Sequence, residues 1–224
     1  MKKLETILFD LDGTLIDQFG AIFRCYEHTF KKLDLPPLSY EEVKNYVGGS
    51  LDATIRELVG DELYPEAIRL YREHFEKIRL EDLHVFPGVE WLLPELKAKG
   101  LQLAVFTNKH GGNARAICKH LSFTDHVERV FGALDTPYHK PDPEFTNYAL
   151  KELGARVETT CLIGDSPWDI QAAKNVGMKA YCVTTGTHNR SELANAGADA
   201  IFDDFFELGE EGFGLTPGPA EIHK

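Results

Sequence analysis

Two aspartates stand two residues apart near the start of the chain, in Phe9-Asp10-Leu11-Asp12-Gly13-Thr14. The preceding Thr6-Ile7-Leu8-Phe9 is an apolar run of strand length, and Gly13 frees the backbone to turn out of it. On extended backbone, residues i and i+2 point the same way, so Asp10 and Asp12 share one side of the strand's end. Like charges at that spacing repel, and a cation or a shared proton must offset them. Three more signals follow in chain order: Thr107-Asn108 after the apolar run 101–106, Lys140 within His139-Lys140-Pro141-Asp142-Pro143, and Gly164-Asp165-Ser166-Pro167-Trp168-Asp169 after the run 160–163.

Each signal has an ordinary structural explanation when taken alone. A DxD-Gly turn ends many strands, loop lysines are usually solvated, and Asp169 suits the first turn of a helix. Their shared position just past successive strands is what points to chemistry. In a parallel sheet those strand ends lie along one edge, where open α/β sheets bind ligands. Asp10, Asp165 and Asp169 form a hard, all-oxygen donor set suited to Mg²⁺. Thr107 and Lys140 can bind phosphate oxygens, and Lys140 offsets accumulated negative charge. Asp10 is placed to attack phosphorus as a carboxylate nucleophile, giving an aspartyl-phosphate. Asp12 is placed to protonate the leaving alkoxide and then to activate water.

The elements that must position these groups are read from periodicity. After the first strand, Phe19, Ile22, Phe23, Tyr26, Phe30 and Leu33 recur at helical spacing. Further helical segments are expected at 40–47, 51–59 and 63–79, so residues 16–85 read as an all-helical insert. From Pro87-Gly88 onward strands alternate with helices. Strands are expected at 101–106, 129–133, 160–164, 179–184 and 199–202, and helices at 111–121, 143–153, 168–176 and 190–196. That alternation implies a Rossmann-like α/β fold: a mostly parallel sheet with helices on both faces. The core comprises 1–15 and 86–208, and the Gly-, Pro- and Glu-rich tail from 209 to 224 is expected to be poorly ordered.

Composition narrows the function classes. The 224 residues carry a net charge of −12 and are 43% hydrophobic. That balance argues against nucleic-acid or anionic-membrane partners. No run is apolar enough to span a membrane and no secretory leader is evident, so a cytoplasmic location is expected. The four cysteines, Cys25, Cys118, Cys161 and Cys182, form no CxxC pair and read as buried free thiols.

The motifs over residues 5–204 resemble those of the haloacid dehalogenase-like (HAD) hydrolase superfamily, in particular its phosphoglycolate phosphatase-like group with a helical cap. Asp10-Leu11-Asp12-Gly13-Thr14, Thr107-Asn108, Lys140 and Gly164 to Asp169 match its four motifs in order. The resemblance implies Mg²⁺ held by the Asp10 side chain, the Asp12 carbonyl and Asp165, with Asp169 direct or through water. It implies phosphate contacts from Leu11, Thr107, Asn108 and Lys140, and a cap in the 16–85 insert. Asp12 argues against the dehalogenase and phosphonate-cleaving branches, which replace that residue. The implied activity is hydrolysis of a small phosphate monoester, phosphoglycolate-like or a sugar phosphate, by a monomer or homodimer. A phosphomutase of the same superfamily is the alternative, and a non-catalytic binding protein on this scaffold is a third reading. Gly48 and Gly49, between two helical segments, are candidates for backbone contact with substrate. Arg24, His28 and Arg56 in the insert, and His110 beside the second motif, are weaker candidates for meeting the leaving group.

Overall fold

In the computed structural model, which describes residues 3–218, the chain starts with β1 (Thr6–Phe9). The insert then runs through β2 (Ile16–Asp17), α1 (Phe19–Lys32), α2 (Tyr40–Tyr46), α3 (Leu51–Ile78) and β3 (His84–Val85). The rest alternates: α4 (Val89–Ala98), β4 (Gln102–His110), α5 (Gly111–His120), β5 (Arg129–Ala133), α6 (Pro143–Leu153) and β6 (Thr160–Gly164). It continues with α7 (Pro167–Lys174), β7 (Lys179–Val183), α8 (Arg190–Ala196), β8 (Ala200–Phe202) and α9 (Phe205–Glu207).

Six strands form one parallel sheet in the order β5-β4-β1-β6-β7-β8. The chain builds outward from β1 to β4 and β5 on one side, then to β6, β7 and β8 on the other. The order therefore reverses at β1, and the crevice beyond its carboxyl end is the expected ligand position. Burial on both faces follows the strand period of two. Ile7 and Phe9 pack into one core with Leu103, Val105, Cys161 and Ile163, while Leu8 packs into the other with Ala104, Phe106 and Leu162. All four cysteines are buried and free, and burial pushes the Cys25 and Cys118 thiols up to about 12.

Three features differ from the sequence expectation. The insert is not all-helical: β2 and β3 pair antiparallel at its two ends, Ile16 opposite Val85 and Asp17 opposite His84. Two-residue strands are too short to leave a period in the sequence. The segments expected at 51–59 and 63–79 are both present in α3, separated at Gly60, whose φ of 77° and ψ of 166° no helix interior adopts. β4 continues to His110, so Thr107 and Asn108 lie within the strand rather than past it, where the register with β5 shifts. Lastly, residues 209–218 are not a loose tail. Leu208 and Leu215 are buried, Gly209 lies against the Trp91 ring, and Lys99 Nζ donates to the Phe213 carbonyl at 2.7 Å. Two leucines and a close backbone approach outweigh the polar composition there. Residues 219–224 of that tail lie outside the described residues.

Candidate active site

β1 delivers Asp10, whose N–H donates to the Ile163 carbonyl of β6 at 2.9 Å, so the first carboxylate is tied to the strand that delivers Asp165. Asp169 sits in the first turn of α7. Its Oδ2 accepts from Ser166 Oγ at 2.6 Å and Ser166 N at 3.2 Å, closing a capping box with Ser166. Its Oδ1 faces Lys140 Nζ at 2.6 Å. Asp169 is thus both a helix-start residue and a member of the cluster. Lys140 arrives on the loop after β5, held through its own backbone: Asn108 Nδ2 donates to its carbonyl at 3.0 Å and its N–H donates to Asn108 Oδ1 at 2.8 Å.

The Lys140 side chain is 0% exposed, with Nζ 2.8 Å from Asp10 Oδ1. That approach makes a close ion pair, and among the described residues Asp10 Oδ1 has no further donor. Asp165 is held by donors on both oxygens: Thr14 Oγ1 to Oδ1 at 2.9 Å, and Thr187 N to Oδ2 at 3.0 Å. Three glycines cradle this cluster. A Cβ at Gly13 would lie 2.5 Å from Asp165 Oδ2, and Cβ atoms at Gly164 and Gly186 would overlap Asp169 and Asp165.

The electrostatics follow from burial. Desolvation, with the Asp169 charge adding to it and Lys140 opposing it, pushes Asp10 up to about 6. Desolvation, then the Asp169 and Asp10 charges, push Asp165 up to about 8 against the Thr187 and Thr14 hydrogen bonds. Burial alone would lower Lys140; Asp10 and Asp169 outweigh it and hold it above its ordinary value, as an ammonium. Three buried carboxylates thus face one buried ammonium. Oxygens of Asp10, Asp165 and Asp169 lie within 4.8 Å of one another. With all three carboxylates ionised the cluster would carry an excess of two negative charges, and that excess on an all-oxygen set fits a hard divalent cation.

Asp12 has a different partner. Lys109 Nζ donates to both of its oxygens at 2.9 Å, and both side chains are buried. The same ammonium lies 4.5 Å from the centroid of the Phe75 ring on α3, so it also touches the insert. Asp10, Asp12, Thr107 and Lys109 line a cavity of about 90 Å³ closed by Tyr26, Tyr46 and Tyr71 of the insert.

Other expected site residues divide. Thr107 is buried on the cavity wall. The Leu11 side chain is core, and only its N–H reaches the Asp10 carboxylate. Asn108 lines the cavity, and its amide also ties Lys140 and the Gly48 carbonyl, the latter at 2.9 Å. Gly48 and Gly49 do line the cavity, packed against Ser166 and Trp168. Arg24 is spent on Glu81 and Asp82, and His28 stacks on His74; neither lines the cavity. His110 lines it, and burial with the Arg72 and Arg115 charges holds its imidazole below the ordinary value. Arg56 lies over the Tyr64 ring and borders a second, neighbouring cavity.

Residues 7–183 match the family model described as haloacid dehalogenase-like hydrolase. The chain belongs to that family. This hydrolase is 33% identical over 217 residues to a phosphoglycolate phosphatase of Rhodospirillum rubrum, covering 92% of this chain and 90% of that one. It is 31% identical over 218 residues to a phosphoglycolate phosphatase of Vibrio cholerae, covering 93% and 96%. A crystal structure of a predicted phosphatase from Clostridium acetobutylicum superposes with a TM-score of 0.87 at 30% identity, over 96% of this chain and all of that one. The hydrolase has no helix long and apolar enough to cross a membrane among the described residues.

Sequence reasoning gave no role in the site to Lys109, Thr14, Gly186 or Thr187. Lys109 adjoins the second motif, and Thr14 closes the first, so position offered a signal for both. Gly186 and Thr187 follow β7 in a loop with no local pattern, and only the fold brings them to Asp165.

Proposed function

We propose that this HAD-like hydrolase is a Mg²⁺-dependent phosphatase of a small, cytosolic phosphate monoester, phosphoglycolate-like or a sugar phosphate, working through phospho-Asp10 with the 16–85 insert as its cap. The observation that carries the reading is Asp10 itself. It is buried, lies within reach of the Asp165 and Asp169 carboxylates, and lines a cavity shared by core and insert. Asp10, Asp165 and Asp169, with the Asp12 carbonyl, would hold the metal, which when bound supplies charge neutralisation between carboxylates and phosphate. In the first step a carboxylate oxygen of Asp10 bonds to phosphorus as the ester P–O bond breaks. The electron pair leaves with the alkoxide, which takes a proton from Asp12. In the second step Asp12 takes a proton from water as its oxygen attacks phosphorus, and the Asp10 carboxylate is released with inorganic phosphate. Thr107 and Lys140 orient the phosphoryl oxygens, and Lys140 stays charged throughout.

The test is release of inorganic phosphate from a panel of esters with Mg²⁺ and no added acceptor. Release supports the phosphatase. Transfer only to an added sugar phosphate would support the mutase, and silence across the panel the non-catalytic reading.

Two further outcomes are expected. Saturating Mg²⁺ raises the melting temperature of chelator-treated protein by about 5–10 °C, from about 2.7 kcal/mol at a hundred times Kd. Asp165→Asn removes most of that rise, and calorimetric melts with and without Mg²⁺ check it. Lys109 spans both Asp12 oxygens, so proton transfer requires one contact to open while the other holds the carboxylate in place. Lys109→Met should therefore lower kcat about 100-fold for alkyl esters, whose leaving group needs a proton. The loss should be smaller for p-nitrophenyl phosphate; equal losses on both esters would remove Lys109 from the positioning of Asp12.

A further inference from the structure

The loop between α2 and α3 lies on the core, and one side-chain amide joins that loop to Lys140. The Gly48 carbonyl accepts from Asn108 Nδ2 at 2.9 Å. Nδ2 also donates to the Lys140 carbonyl at 3.0 Å, and Asn108 Oδ1 accepts from the Lys140 N–H at 2.8 Å. A primary amide has two N–H donors, so one serves the insert and the other the lysine loop. Bonds to both the N–H and the carbonyl of Lys140 fix the backbone from which Nζ reaches Asp10 and Asp169.

The same loop rests beside a partner of that lysine. Gly48 has a φ of 99°, a conformation open to glycine, and a Cβ there would lie 3.2 Å from Ser166 Oγ. A Cβ at Gly49 would lie 3.4 Å from the Trp168 indole. Two residues without side chains therefore let the loop backbone lie flat on the Ser166-Pro167-Trp168 turn. Asp169 follows that turn, and Ser166 N and Oγ both donate to its Oδ2. Seating of the loop thus reaches both members of the buried Lys140–Asp169 pair, one through Asn108 and the other through Ser166. Trp168 does not line the cavity and is 39% exposed, so it serves the loop as a seat.

We propose that Asn108 is a positioning residue that couples seating of the Gly48-Gly49 loop on Ser166 and Trp168 to the alignment of Lys140. Phosphoryl transfer is then fast only with the loop seated. Coupling between two sites is reciprocal, so an anion bound at Lys140 favours the seated loop in return. The proposal rests on the phosphatase reading for what Lys140 orients, whereas the link between loop and lysine stands apart from that reading.

Trp168 reports the loop by its own fluorescence. The chain has two tryptophans, and Trp91→Phe leaves Trp168 as the single emitter. In that background, saturating inorganic phosphate with Mg²⁺ should change the emission as the indole is covered. With Asn108→Ala added, calorimetry should show phosphate still binding while the emission change is lost. Asn108→Asp is closer in shape and carries the same test: it keeps an oxygen for the Lys140 N–H but has no donor for the Gly48 carbonyl. On p-nitrophenyl phosphate, Asn108→Ala should lower kcat about 10- to 100-fold, the cost of a misplaced group, with KM changed less than about twofold. Trp168→Ala removes the seat without altering Asn108 and should lower kcat as well. The double variant should match Asn108→Ala to within about twofold, because an unlinked loop has nothing left to transmit.

Four results would each overturn the proposal: no emission change with phosphate, a change that persists in both Asn108 variants, loss of phosphate binding in both, or kcat losses that multiply in the double variant. An emission change that depends on Asn108, in a protein that hydrolyses no ester, keeps the coupling and loses the phosphatase reading. Ester hydrolysis with an emission change indifferent to Asn108 loses only the coupling.

Discussion

Asp10→Asn is expected to abolish phosphate release, with kcat for p-nitrophenyl phosphate falling by at least about 10⁴-fold, as for loss of a nucleophile that acts within a unit. The amide has nearly the same shape, so Thr107, Lys109 and Lys140 stay in place and the loss reports the missing nucleophile. The accompanying stability change makes the prediction sharper. Burial and the Asp169 charge hold Asp10 well above the usual carboxylate range, which means the ionised form is disfavoured where it stands. Removing that charge should leave the metal-free melting temperature unchanged or higher. Retained turnover would sink the nucleophile assignment. A collapse in melting temperature would instead show that Asp10 is chiefly the counter-ion of Lys140.

Lys140→Met should have the opposite effect on stability and a similar one on turnover. The ammonium is fully buried between Asp10 and Asp169. Deleting one partner of a buried ion pair leaves an uncompensated charge and costs about 3–5 kcal/mol. In a chain of this size that lowers the melting temperature by about 6–20 °C. The double variant Asp10→Asn, Lys140→Met should recover part of the loss, because the two charges interact directly. Thermal melts of the four proteins without metal make the cycle; strict additivity would mean that Lys140 is held by Asp169 alone.

The parts of this site legible in the sequence are those in which a short apolar strand is followed at once by a polar residue. Asp10, Asp12 and Asp165 are of this kind, because strand and ligand are neighbours in the chain and the sheet does the rest. The parallel sheet follows from the same alternation, whereas the order of its six strands does not. What the sequence hid depends on pairings across the chain. Asp12 meets Lys109 97 residues away, Asp165 meets Thr187 22 residues away, and Asp52 meets Arg72 20 residues away across the break in α3. Asn108 shows the limit of reading a motif from type alone. Its place next to Thr107 suggested a phosphate contact, and nothing in its type announced that its amide also holds Lys140 and Gly48. Arg24 looked free only because Glu81 and Asp82, its partners, lie more than fifty residues further on.

The small ladder formed by β2 and β3 bears on more than the shape of the insert. Ile16 and Val85 face each other across one rung, so the chain leaves the core and comes back at nearly the same point. A segment whose two ends meet can be lengthened, shortened or exchanged without altering the path of the chain on either side. The carboxylates and Lys140 all lie outside that segment, and Tyr26, Tyr71 and Arg72 all lie inside it. On the proposed reading, the groups that would break the ester and the wall that would meet its leaving group are thereby carried on separable segments, free to diversify at different rates.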